Sequence, residues 1–208
     1  MIKGCKIDLL IVFIVYISSS IQWAYMVGKI KLKSDIRTFG DKNPGTVNVF
    51  TAGSILWGMI SAFLEISKSA LPIFYTITIS QMSDSTMLLC VISSLIGHGF
   101  SPFLKFKGGK SLAVTAGTWL AITKGEAFYI LGASLTLLKA LQKNDAITVT
   151  FAFSTLYIYI MLRNTTPFET ESLLYGITFN LLFIIFKHRN CLLYTSDAAD
   201  DSLRVDLG

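Results

Sequence analysis

The chain has 208 residues, of which 52% are hydrophobic and only 15% charged, and its mean hydropathy is +0.60. A soluble domain carries about 25% charged residues, so this balance excludes an ordinary soluble fold and points to an all-α, polytopic integral membrane helical bundle. A net charge of +5 would suggest nucleic-acid binding in a soluble protein, but here the basic residues fall in short loops between apolar runs; that pattern excludes nucleic acid as a partner and leaves membrane topology and anionic ligands.

A spanning helix needs about 20 apolar residues. The first apolar run, 7–27, is long enough to cross and lacks a small-residue cleavage site, so it reads as a retained first span. Further runs follow at 54–79, 86–100, 111–123, 127–141, 146–162 and 172–186. Seven transmembrane helices is the preferred count; six is the alternative, because several runs are short. Within the second run Glu65 and Lys68 stand three residues apart on one helical face, where they can pair with each other or face a ligand, and Pro72 can bend the helix.

Seven spans put twelve basic residues on one side of the membrane: Lys29, Lys31, Lys33, Arg37, Lys42, Lys105, Lys107, Lys110, Lys139, Lys143, Lys187 and Arg189. Four remain on the other: Lys3, Lys6, Lys124 and Arg163. The positive-inside rule makes the richer face cytoplasmic and the N-terminus external. The three most polar stretches, "DIRTFGDKNPGTVN", "FKGGKS" and "KHRN", then share the cytoplasmic face.

In the first of these, Asn43 and Asn48 offer neutral hydrogen-bonding groups, Gly40 and Gly45 permit unusual backbone angles, and Pro44 stiffens the turn. In the second, Gly108 and Gly109 can turn tightly and present N–H groups, Lys110 adds a charge, and Ser111 opens an apolar helix whose N-terminus favours an anion. Gly108, Gly109, Lys110 and Ser111 can thus form a phosphate cradle; taken alone, the stretch reads equally as a flexible positive-inside turn. It is not a Walker motif, because the required upstream glycine would fall at position 104, which is Leu. His98 ends the third run as either a packing or a catalytic residue, and His188 and Arg189 flank the last run. Cys5, Cys90 and Cys191 show no metal spacing, and no metal or cofactor is expected.

Taken in order, these stretches resemble one family, the bacterial membrane acyl-phosphate:glycerol-3-phosphate acyltransferases (the PlsY family). "YMVGKIKLKSDIRTFGDKNPGTVNVF" is similar to its first motif, Y-x-x-G-K followed by D-I-R-x-x-G-S-G-N-x-G-A-T-N-V-x-R. "LEISKSALP" is similar to D-x-x-K-G-x-x-P, "GHGFSPFLKFKGGKSLAVTAG" to G-H-x-F-P-x-F-x-x-F-K-G-G-K-G-V-A-T, and "KHRN" to the start of K-H-R-x-N-I. The resemblance implies seven spans and motifs on the cytoplasmic face of the bacterial inner membrane. It also implies transfer of a fatty acyl group from acyl phosphate to the 1-hydroxyl of glycerol 3-phosphate, giving lysophosphatidic acid for phospholipid synthesis without acyl-CoA. Membrane lipids are the remaining partners. On this reading Asp41, Asn43, Asn48 and His98 are the catalytic candidates. Gly45, Lys107, Gly108, Gly109, Lys110, Ser111, His188 and Arg189 are the substrate-binding candidates, with the glycine-rich second motif holding the glycerol phosphate.

The chain departs from the family pattern at several positions. Asp41 and Lys42 replace Ser and Gly, Thr51 replaces Arg, Ser111 replaces Gly, and Glu65 stands where Asp is usual. Asp41 could serve as a base, or would repel phosphate unless Lys42 or a cation offsets it. Two alternatives follow: a catalytically inactive lipid-binding paralogue, and a transporter of a phosphorylated metabolite. The membrane domain is read as 1–190. Residues 191–208, "CLLYTSDAADDSLRVDLG", break abruptly from the membrane pattern and resemble a translated transposase sequencing adapter, so the natural C-terminus is expected to differ after Asn190.

Overall fold

A computed structural model describes the backbone apart from residues 1, 81, 142–143, 163–166 and 206–208, and side chains within 8–79, 82–141, 144, 147–162 and 167–189. Lys3, Lys6, Lys143 and Arg163, counted in the charge asymmetry, therefore lie outside the described side chains, as does the segment 191–208. Among the described residues the fold is all helix: α1 (Ile2–Ser20), α2 (Trp23–Lys31), α3 (Thr46–Thr51), α4 (Ile55–Ser80), α5 (Asp84–Gly99), α6 (Leu112–Ile122), α7 (Glu126–Leu141), α8 (Asp145–Leu162) and α9 (Thr170–Val205), with 3-10 turns at Ile36–Thr38 and Pro102–Leu104. The backbone of α9 stays helical into the segment read as foreign to the chain.

The bundle is apolar on its outer surface, as lipid requires, and its core mixes a large hydrophobic cluster with buried small polar side chains. Leu9, Phe13, Phe63, Leu71, Tyr75, Leu137, Tyr175 and Leu182 face outward, while Ser19, Ser61, Ser69, Ser94, Thr115, Thr118 and Asn180 are buried. In a soluble bundle exposed side chains of that size would form an aggregation-prone surface. Asp8–Lys31, Asp84–Leu104 and Thr170–Arg189 are long and apolar enough to cross a bilayer. Leu112–Ile122 and Ile147–Leu162 are shorter apolar helices; at 11 residues, α6 is about 16 Å long against a hydrocarbon core of about 30 Å.

Helix ends follow local chemistry. Ser83 caps α5 by accepting the Thr86 N–H at 3.3 Å. The chain leaves α6 through a left-handed pair, Lys124 (φ 52°) and Gly125 (φ 101°), where the Gly125 N–H returns to the Leu120 carbonyl at 2.8 Å. The run at 7–27 is not one helix. It breaks at Ile21–Gln22 between α1 and α2, and the break is sustained because its polar groups find partners elsewhere in the bundle, as described below.

Close packing depends on small residues. A Cβ on Gly117 of α6 would fall 2.1 Å from the Ile66 carbonyl of α4, and one on Gly97 of α5 would fall 2.6 Å from the Tyr16 carbonyl of α1. Backbones approach this closely only where the side chain is absent. Pro72 inside α4 has no N–H, so the Lys68 carbonyl loses its helical donor; the Ser18 hydroxyl of α1 supplies one at 2.6 Å. The Trp119 indole donates to the Asn180 side-chain oxygen at 2.8 Å, and the Asn180 amide donates to Thr115 at 3.0 Å, which ties α6 to α9. A smaller core of Ala24, Val27, Ile36 and Val49 seats the first loop on α2.

Candidate active site

Three separated stretches meet at one cavity of about 190 Å³. The first is the loop between α2 and α3. Its entry is fixed by Asp35, which accepts the Arg37 N–H at 3.0 Å and pairs with Arg37 at 2.7 Å and Lys29 at 3.2 Å. The hydrogen bond from Arg37 holds the Asp35 carboxyl well below the usual carboxylate range. Arg37 also stacks 4.7 Å over the Tyr25 ring. These charges belong to the scaffold and not to the cavity wall.

Beyond this clamp the loop turns through two left-handed residues, Gly40 (φ 50°) and Lys42 (φ 60°), and presents Asp41 between them. Asp41 Oδ1 accepts the Asn43 N–H at 3.1 Å and the Asn48 amide at 3.0 Å, while Oδ2 pairs with Lys110 Nζ at 2.8 Å. Partial burial pushes the Asp41 carboxyl up, but Lys110 and the two loop donors outweigh it, so the group sits below its ordinary value. The charge of Asp41 is offset by Lys110 of the second motif, not by its neighbour Lys42. A carboxylate held this way is a weak base.

The second stretch runs from α5 to α6. Lys42 and Ser111, two of the positions where the family pattern has glycine and this chain does not, both carry left-handed backbone here (Ser111 φ 65°), whereas a third, Ser69, lies within α4. The glycine requirement of the motif therefore survives as geometry although the residue has changed. Ser111 donates to the Leu95 carbonyl at 3.2 Å and sits at the start of α6, so Leu112 and Ala113 of its first turn line the cavity.

Gly108 and Gly109 do something other than the sequence suggests. Neither has positive φ, and neither lines the cavity. The Gly109 N–H donates to the His98 carbonyl at 3.1 Å, so this amide is already used inside the fold. A Cβ on Gly108 would lie 1.9 Å from the His98 carbonyl oxygen, and one on Gly109 would lie 2.2 Å from His98 Nε2. The pair exists so that the loop can lie directly on His98.

His98 in turn is locked from the other side. Lys68 Nζ lies 2.6 Å from Glu65 Oε2 and 2.8 Å from His98 Nδ1, and it donates to the Ile21 carbonyl. Glu65 Oε1 accepts the Ala24 N–H at 2.9 Å, and Gln22 donates to the His98 carbonyl at 2.9 Å. Glu65 and Lys68 thus form the pair their spacing allowed. The break between α1 and α2 is what delivers Ile21, Gln22 and Ala24 to it. With an ammonium donating to Nδ1, the ring proton of a neutral His98 is assigned to Nε2, the edge facing Gly109.

The third stretch is on α9. His188 is buried, donates from Nδ1 to the Ile184 carbonyl at 2.9 Å, and lines the cavity. Of the twelve candidate residues, the cavity gathers Asp41, Asn43, Gly45, Asn48, His98, Lys110, Ser111 and His188. Lys107 is exposed on the loop surface away from it. Arg189 is also outside: it donates to the Phe186 carbonyl at 2.8 Å and stacks 4.3 Å over the Phe186 ring. One helical residue after inward-facing His188, a side chain necessarily points about 100° away. Thr51 is exposed and its hydroxyl returns to the Val47 carbonyl at 3.0 Å.

Sequence reasoning missed Thr46, Val47, Leu112, Ala113 and Val149 as cavity residues, while Glu65, read as either a structural pair or ligand-facing, both pairs with Lys68 and lines the cavity. A lone glutamine in an apolar run was the signal for Gln22; Val149, one apolar residue in an apolar helix, gave none. Among the described residues no three His, Cys, Asp or Glu side chains converge as a metal site.

The fold and the cavity define a class: an integral membrane helical bundle with a pocket formed where loops and helix ends meet, its wall largely apolar but carrying Asp41, Asn43, Asn48, Lys110 and two histidines. A sequence model described as "Glycerol-3-phosphate acyltransferase" matches residues 9–194. The chain is 31% identical over 197 residues to Glycerol-3-phosphate acyltransferase 1 of Thermotoga maritima, covering 88% of this chain and 95% of the relative. It is 29% identical over 202 residues to the glycerol-3-phosphate acyltransferase of Endomicrobium trichonymphae, covering 96% and 97%. Its fold matches the crystal structure of PlsY (YgiH), an integral membrane glycerol 3-phosphate acyltransferase, in the glycerol 3-phosphate form, with a TM-score of 0.81 at 20% identity over 92% of each chain. The chain belongs to the glycerol-3-phosphate acyltransferase family.

Proposed function

We propose that this protein transfers a fatty acyl group from an acyl phosphate to the 1-hydroxyl of glycerol 3-phosphate, releasing lysophosphatidic acid and phosphate. The observation that carries this reading is the convergence of Lys110, the first turn of α6, His98 and His188 on one cavity in a chain of this family. The phosphoryl group of glycerol 3-phosphate sits against Lys110 and the N-terminus of α6, which supply positive charge and free N–H donors. Leu112, Ala113 and Val149 line the cavity and supply an apolar wall for the start of the acyl chain, whose remainder lies in the bilayer.

The 1-hydroxyl oxygen attacks the acyl carbon. The oxyanion that forms collapses with cleavage of the carbon–oxygen bond to phosphate, and the hydroxyl proton leaves on that phosphate. Because acyl phosphate is already activated, positioning and charge neutralisation carry the rate. The held carboxylate of Asp41 is not required as a base. His98 and His188 orient and donate. The catalytic domain is residues 1–190, in seven spans with the N-terminus outside and the cavity at the cytoplasmic face of the bacterial inner membrane.

Purified protein in detergent, given palmitoyl phosphate and glycerol 3-phosphate, is expected to form lysophosphatidic acid by mass spectrometry. No product beside an active Thermotoga maritima relative overturns the reading. Single cysteines at Asn43 and Lys107 in a cysteine-free variant are expected to label from the same, inner side; labelling from opposite sides overturns the topology.

A further inference from the structure

We propose that Asp41 is an internal anion that competes with the substrate phosphoryl group for Lys110, and so sets how tightly this chain holds a phosphomonoester. The inference rests on the proposed reaction only for the identity of that ligand. Among the described residues lining the cavity, Lys110 is the one Lys or Arg, beside two carboxylates, Asp41 and Glu65. Glu65 is spent on Lys68 at 2.6 Å, deep in the bundle. Asp41 is spent on Lys110 at 2.8 Å, and both side chains remain partly open, at 41% and 21% exposure. A phosphoryl dianion entering the cavity therefore meets a lysine whose charge is already balanced.

The geometry lets Asp41 yield without disturbing the loop. Only Oδ2 faces Lys110; Oδ1 is held within its own loop by the Asn43 N–H and the Asn48 amide. Exchanging Oδ2 for a phosphoryl oxygen breaks one ion pair and keeps the hydrogen bonds that shape the loop. The Thr46 hydroxyl, on the same wall and without a hydrogen-bond partner among the described residues, is a ready donor to the newcomer. Where the family pattern places a neutral serine, this chain has placed a competitor.

The test is a double-mutant cycle read by binding. Glycerol 3-phosphate and inorganic phosphate are titrated by calorimetry into detergent-purified full-length protein, with glycerol as the uncharged control. D41N keeps an oxygen for Asn43 and Asn48 but removes the charge; it is expected to tighten both phosphates about threefold to tenfold, the scale of a partly exposed ion pair. K110Q is expected to weaken both, and D41N is expected to add nothing in the K110Q background. D41S, the family residue, should behave as D41N and guards against a misfolded variant. Unchanged or weaker phosphate binding in both D41N and D41S, or equal tightening with and without Lys110, or tightening that extends to glycerol, overturns the inference. Since the readout is binding, absence of lysophosphatidic acid with this pattern intact would count against the reaction and not against the ion-pair competition.

Discussion

The fate of single residues here is decided by what lies within a few ångströms of their backbone. Gly109 shows this most sharply, since a methyl group there would lie 2.2 Å from His98 Nε2. The ring is held from the far side, where Lys68 Nζ at 2.8 Å and Gln22 Nε2 at 3.4 Å meet its Nδ1. G109A is therefore expected to lower kcat of acyl transfer by about tenfold to a hundredfold, the penalty of a displacement of about 1 Å at a reacting site. G132A is the control: a Cβ at Gly132 meets nothing within 4 Å, so its activity should match the parent. Equal activity of G109A and parent, measured on folded protein, would remove the glycine pair from the explanation. The sequence marked Gly108 and Gly109 as a turn or an anion cradle but not as a contact surface. "GGK" beside an apolar run reads as a cradle for an anion, whereas the structure spends those glycines on contact with a histidine ten residues upstream. The partner of Asp41 was equally hidden: Lys42 is adjacent in sequence, but its left-handed backbone carries it aside, and Lys110 arrives through tertiary folding.

At the level of elements, hydropathy located most helices within a few residues, because in lipid a backbone segment has few alternatives to a helix. The run at 54–79 became Ile55–Ser80 and that at 127–141 became Glu126–Leu141. The first run misled for a physical reason. Hydropathy averages over Gln22, and the break there is stabilised by groups on α4 and α5 that no local window contains. Pro72 poses a related problem, and the solution is equally non-local: the Ser18 hydroxyl replaces the missing amide donor at the Lys68 carbonyl. S18A is expected to cost about 1–2 kcal/mol, the price of a buried unsatisfied carbonyl. In a P72A background, where the restored amide reaches that carbonyl, the same substitution should cost less than half as much. Thermal unfolding of the four proteins in one detergent measures the coupling; additive costs would show that Ser18 serves something else.

Across the whole molecule, the site is held between two charge pairs at different depths: Glu65–Lys68, almost fully enclosed, and Asp41–Lys110, at the cavity mouth. Their energetics should differ accordingly. Removing one partner of the enclosed pair strands a charge, so K68M is expected to destabilise by about 3–5 kcal/mol, while E65L/K68M together should recover a large part of that loss. Differential scanning in detergent distinguishes this from a simple loss of packing, which would make the double variant worse than either single one. The spacing of Glu65 and Lys68 made their pairing legible in the sequence. The membership of His98, Gln22 and the Ile21 carbonyl in the same network was not, because it requires three helices to be in place. The four stretches that resemble family motifs identified the parts of the site; only the fold sorted Lys107 and Arg189 to its outside.

The break at Ile21–Gln22 also bears on how the chain is made. When residues 7–27 leave the ribosome, Lys68 and His98 have not yet been synthesised, and an uninterrupted helix is the cheapest form for that segment in lipid. The groups that hold the kink are thus present only once α4 and α5 are in place. The first span of the bundle therefore takes its final shape only from helices that follow it in the chain.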